Sequence, residues 1–147
     1  MKKLITKQVI LAVAMAFIGV TGIAQANDDD KKCSVAALRG WYLFAATGYN
    51  IVGGVAQPKA IVESIDFEGN GTLTVPAATA SLNGVIVHPP AGGTGTYAVT
   101  PDCTGTLTFI PSGLTFDLFL APKSEDFFMI QTTPGTVLQG TVVKVSR

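Results

Sequence analysis

From Arg39 onward the chain is written in short apolar runs with a period near two, broken by glycine, proline and asparagine. Leu107 and Phe109 fall on one side of their run, with Thr104, Thr106 and Thr108 on the other. Leu114, Phe116 and Leu118 alternate in the same way with Thr115, Asp117 and Phe119. This is the pattern of antiparallel strands with one wet face. Strands are predicted over 41–47, 60–67, 72–75, 95–99, 103–110, 114–120, 126–131 and 137–145. Glu68-Gly69-Asn70-Gly71 reads as a hairpin turn, since Asn and Gly accept the positive φ that tight turns require. Asn70 also opens an Asn70-Gly71-Thr72 sequon, which the turn explains better.

No segment beyond the leader carries a helical stripe longer than the single turn at 34–39. About eight strands joined by short turns predict an all-β fold, a single antiparallel up-and-down β-barrel, with a sandwich as the alternative. Closure favours the barrel because it removes exposed strand edges. Two stretches depart from the meander. Residues 50–57, with Gly53-Gly54, read as an irregular connection. Residues 83–93 are rich in Gly and Pro around Val85-Ile86-Val87. They read either as a long connection containing a short strand, or as a flap at a barrel mouth.

The first 26 residues differ from the rest. Lys2, Lys3 and Lys7 precede an apolar stretch from Val9 to Val20, and Ala24-Gln25-Ala26 supplies a small-x-small cleavage pattern. A transmembrane span needs roughly 20 predominantly apolar residues, and Thr21, Gln25 and Asn27-Asp28-Asp29-Asp30 interrupt too early. The expected organisation is a cleaved signal peptide (1–26), an N-terminal segment (27–38) and a barrel domain (39–147), with no membrane anchor after cleavage. The destination is periplasmic or extracellular. The remaining length of about 120 residues suits one domain.

Export changes the reading of the cysteines. Cys33 and Cys103 are the only two, and an even pair in an oxidising compartment forms a disulfide. It would close a loop of about 70 residues, worth on the order of 4 kcal/mol in the chain-entropy model, and tether the N-terminal segment to the barrel. Charge also shifts, because the leader takes three of the ten Lys and Arg and leaves seven against ten Asp and Glu. With the remaining cations scattered, no nucleic-acid partner is expected.

The run 95–106, Gly-Thr-Tyr-Ala-Val-Thr-Pro-Asp-Cys-Thr-Gly-Thr, follows Phe67-Glu68-Gly69-Asn70-Gly71 and precedes Gln131-Thr132-Thr133-Pro134-Gly135-Thr136-Val137. Together they resemble a group of small exported bacterial proteins of unknown function, whose order of strands and turns is similar to the allene oxide cyclase and lipocalin-like barrels. The resemblance spans about 33–145. It implies an eight-stranded barrel with an apolar interior, a cysteine tying the N-terminal segment to a strand, and dimers or trimers. It supplies no catalytic residue for this chain.

Candidate chemistry is sparse. His88 is the only histidine, no G-x-S-x-G elbow or phosphate loop is present, and no cluster of metal ligands converges. No catalytic residue, metal or cofactor is therefore assigned. Among carboxylates, Glu63 and Asp66 face opposite sides of their strand by parity, whereas Asp66 and Glu68 share one if the strand stays regular, and their approach to a turn suggests solvent exposure. Asp117, in mid-strand, is either an outward wet residue or a buried acid. A non-enzymatic barrel holding a small apolar or amphipathic ligand is expected, lined by Trp41, Tyr42, Phe44, Tyr97, Phe109, Phe116 and Phe128. The alternatives are a structural module that self-associates or binds an envelope partner, and an isomerase or cyclase. Side chains that fill the barrel would favour association, and a buried acid beside a cavity would favour catalysis.

Overall fold

The computed structural model describes residues 33–122 and 124–146; the leader and residues 27–32 of the N-terminal segment lie outside the described residues. A single 3-10 turn, Val35–Ala37, leads into nine strands: β1 (Arg39–Val52), β2 (Val55–Glu68), β3 (Thr72–Leu82), β4 (Val85–Val87), β5 (Gly93–Val99), β6 (Thr104–Ile110), β7 (Thr115–Leu120), β8 (Phe127–Gln131) and β9 (Thr136–Lys144). Leaving β4 aside, each strand pairs antiparallel with the next one along the chain, β3 pairing with β5, and β9 returns to β1. Eight strands thus close an up-and-down barrel, and β4 folds back on the end of β3 as a short flange. Every consecutive hairpin adds an edge that the next one covers, and the β1–β9 ladder from Tyr42↔Lys144 to Asn50↔Thr136 covers the last.

Two connections are more regular than their composition suggests. Residues 50–57, expected to be irregular, continue β1 and β2 through to the pair Val52↔Val55, with Gly53 and Gly54 as a two-residue turn. Both glycines have positive φ, +57° and +79°, as a type I′ turn requires. Paired glycines therefore marked a hairpin tip. Val85-Ile86-Val87 forms β4. At the β2–β3 turn, Asn70 Oδ1 accepts from the Thr72 amide at 3.0 Å and the Thr72 hydroxyl at 2.7 Å, an Asx-type turn.

Parity fixes the interior. Tyr42, Phe44 and Ala46 of β1 point in, as do Leu107 and Phe109 of β6, Phe116 and Leu118 of β7, Phe127, Met129 and Gln131 of β8, and Leu138 and Val142 of β9. Strand β3 changes parity partway. Between the pairs Ser64↔Ala77 and Asp66↔Thr74, two steps along β2 match three along β3. The extra residue near Pro76 moves the inward set from Leu73 and Val75 to Ala78 and Ala80.

The two ends of the barrel differ. At one end residues 33–38 cross the opening. Cys33 is disulfide-bonded to Cys103 with 4.9 Å between Cα atoms. Leu38 is buried, and the Tyr97 hydroxyl donates to the carbonyls of Leu38 (2.8 Å) and Val35 (3.2 Å). Below this cover Tyr42, Phe67, Tyr97 and Phe127 pack edge to face, with Phe67 centroids 5.0 Å from Tyr97 and 5.2 Å from Tyr42. This end is sealed.

Candidate functional site

The opposite end is open because small residues face inward there. Ala78 on β3 and Gly93 on β5 line the interior there, where the sealed end has aromatic rings. An eight-stranded barrel is just wide enough for side chains to fill it, so small side chains at these positions leave space. The result is a cavity of about 560 Å³, within the size range of small-molecule sites. Phe44, Phe109, Phe116, Val75, Ile61 and Leu138 form its apolar wall. Phe116 packs edge to face on both Phe44 (5.9 Å) and Phe109 (5.6 Å). The mouth lies between the segment Pro89–Gly93 and the turn after β6, entered through a cis Ile110–Pro111 peptide.

Lys59, Glu63 and Gln131 interrupt the apolar wall, while Thr94 and Ser112 are exposed. Lys59 and Glu63 of β2 line the cavity on the same strand parity, and Gln131 ends β8. Glu63 is 7% exposed and Gln131 5%. Its strand neighbours place Glu63 between Phe44 on β1 and Ala78 on β3. Lys59 Nζ donates to Gln131 Oε1 at 3.2 Å. Glu63 Oε1 and Gln131 Nε2 are buried and have no hydrogen-bond partner among the described residues.

Burial dominates the electrostatics. It pushes the Glu63 carboxyl up to about 7, and the nearby Lys59 charge only partly opposes the rise. The same burial lowers the Lys59 ammonium from its ordinary value, against the pull of Glu63. Among the described residues, Lys59 and Glu63 are the only charged groups lining this cavity. A buried acid with this property takes and returns protons near neutral pH, and its unpaired oxygen is free to meet a ligand.

The aromatic residues expected to line an interior site fall into three places. Phe44, Phe109 and Phe116 line the cavity. Tyr42 and Tyr97 are buried in the sealed end, where their rings pack on Phe67 and their neighbours rather than on the open space. Trp41 and Phe128 stand on the outward parity of β1 and β8; Phe128 is 62% exposed. Adjacent residues of a regular strand face opposite ways, so Trp41 and Tyr42 cannot share an interior.

Other polar candidates lie elsewhere. Asp117 sits on the outward parity between buried Phe116 and Leu118 and pairs across to Thr106 and Ile130. His88 is exposed, its Nδ1 3.3 Å from the Thr79 hydroxyl. Glu63, expected to be solvent-exposed, is instead the buried acid. Its signal was present in the parity of β2, which sets Lys59, Ile61, Glu63, Ile65 and Phe67 on one face.

Compared with known protein families, with curated proteins and with solved structures, the chain matches none. The closed eight-stranded antiparallel barrel implied by the resemblance is what the strand pairing forms; no family assignment accompanies it. The Cys33–Cys103 disulfide accords with an oxidising, extracytoplasmic setting.

Proposed function

We propose that this protein is an exported, non-enzymatic barrel that carries or sequesters a small amphipathic molecule in its interior. The observation that supports this reading best is the one-ended cavity, with aromatic and aliphatic walls and a few polar groups set among them. Pockets of this composition take up apolar ligands and orient them through a small number of polar contacts. The sealed end gives a ligand one way in. The leader pattern and the disulfide support an activity outside the cytoplasm.

Native mass spectrometry of the protein purified from its own host, with stepped collision energy, tests the proposal. A reproducible adduct released as a small molecule is the expected result. A clean protein mass, together with no uptake of the neutral apolar probe N-phenyl-1-naphthylamine, would overturn it.

Two observations favour other readings. Glu63, with a pKa near 7 beside a cavity, is suited to proton transfer, as an isomerase or cyclase requires. Conversion of the released molecule by wild-type protein, lost in Glu63→Gln, would establish that reading. The open rim bears exposed Val52, Val55, Val85 and Ile86, and segments 47–58, 108–115 and 130–138 contain no charged residue. Self-association through such a rim would appear in the same spectra as a fixed stoichiometry above one.

A further inference from the structure

The polar groups inside the cavity specify more than a generic amphiphile. Gln131 Nε2 is a buried donor without an acceptor, and Glu63 Oε1 is a buried oxygen without a donor. Lys59 Nζ contacts Gln131 Oε1 and holds that amide with its nitrogen turned away from the lysine. Each unsatisfied group carries a desolvation penalty that a ligand atom of the right kind would relieve. A head that only accepts would satisfy Gln131 and leave Glu63 unmet. A head that only donates would do the reverse.

Charge narrows the choice further. Lys59 and Glu63 carry opposite charges, and the lining contains no others: Phe44 on β1, Val75 and Ala78 on β3, Thr94 on β5, Phe109 on β6, Phe116 on β7 and Leu138 on β9 are uncharged. An anionic head would be attracted to Lys59 but would enter an apolar space beside the Glu63 carboxylate without a second cation to balance it. We infer that the cavity selects a neutral amphiphile whose head both donates and accepts hydrogen bonds, an alcohol or a primary amide, over the corresponding carboxylate. The inference rests on the ligand-binding reading above and assigns Glu63, Gln131 and Lys59 as the head-group site.

The test is displacement of N-phenyl-1-naphthylamine from the full disulfide-bonded protein by four ligands carrying an unbranched chain of comparable length: 1-decanol, decanamide, decanoate and 1-methoxydecane, an ether that only accepts. At pH 8 the alcohol and amide are expected to displace the probe at concentrations at least tenfold below those of decanoate and the ether. Glu63→Gln is expected to shrink the gap between decanol and decanoate by at least tenfold, because the repelling charge is gone while the hydrogen-bonding shape stays. Should that variant fold poorly, wild-type protein at pH 6 supplies the same readout, since protonation of Glu63 should bring decanoate toward the alcohol. Equal displacement by all four ligands, or a decanoate preference at pH 8, overturns the head-group inference while leaving the cavity reading intact. Failure of the probe and of every ligand to bind overturns the cavity reading itself.

Discussion

The hydroxyl of Tyr97 donates to the carbonyl oxygen of Leu38 at 2.8 Å, joining β5 to the segment that crosses the sealed end of the barrel. The contact bridges 59 residues of sequence, and the same hydroxyl reaches the Val35 carbonyl at 3.2 Å. With the disulfide, it makes a segment with little secondary structure of its own into a lid over the aromatic layer. Tyr97→Phe keeps the ring and removes both bonds. It is expected to cost about 1–2 kcal/mol in urea unfolding and to raise cleavage near Val35 in limited proteolysis. An unchanged midpoint and proteolysis rate would show that the ring alone holds the segment.

Removing the cross-link has a larger effect. Cys33 and Cys103 are 70 residues apart, and replacing both with Ser is expected to lower stability by about 2–5 kcal/mol. The variant should unfold at the same urea concentration with or without reductant, whereas the wild type should shift. If reductant leaves the wild-type curve in place, the bridge is not constraining the unfolded chain.

Glu63 sets a pH dependence whose sign follows from its raised pKa. Below the ordinary value of 4.5 the carboxyl is protonated in both folded and unfolded chains, and no penalty arises. Between 4.5 and about 7 the unfolded chain ionises first, so stability falls as pH rises through that window. The full loss is about 3 kcal/mol. Glu63→Gln is expected to match the wild type near pH 4 and to exceed it in thermal midpoint at pH 8. A difference independent of pH would show that the Glu63 charge is already accommodated in the fold.

The β1–β9 seam depends on two glycines with ordinary backbone angles. A methyl group at Gly48 would run into the Val137 carbonyl, and one at Gly140 into the Ala45 carbonyl and the Ala46 side chain. Since those contacts are backbone of the paired strand and an alanine Cβ, they cannot relax by a change of rotamer. Gly140→Ala is expected to destabilise by about 2–4 kcal/mol, opening the ladder between Ala46 and Gly140. Faster amide exchange in β1 and β9 alone would locate the damage; uniform exchange across the barrel would contradict it.

How much of this was legible beforehand differs from element to element. The strands at Leu107–Phe109 and Leu114–Leu118 could be read with their faces assigned, because alternation in a half-buried antiparallel strand is a local property. The extent of β1 and β2 could not. Their tips pair with each other beyond the barrel, and the Gly53-Gly54 turn has the composition of a loop. The cavity wall at Ala78 depended on an extra residue near Pro76, which turns that part of β3 inward. No local pattern announces such a slip of register, since it exists only relative to the partner strand.

Glu63 illustrates the same boundary. The residues 59, 61, 63, 65 and 67 share a face in any regular strand, so the sequence by itself placed the acid with Ile65 and Phe67. It likewise determined the all-β class, the hairpin at Asn70 and the pairing available to two cysteines. Whether that shared face meets water or a cavity was decided only by tertiary structure. Barrel closure set Phe44 and Ala78 on either side of Glu63 and brought Gln131 to Lys59, 72 residues away. Alternation is written in neighbouring residues, but desolvation is a property of everything that surrounds them.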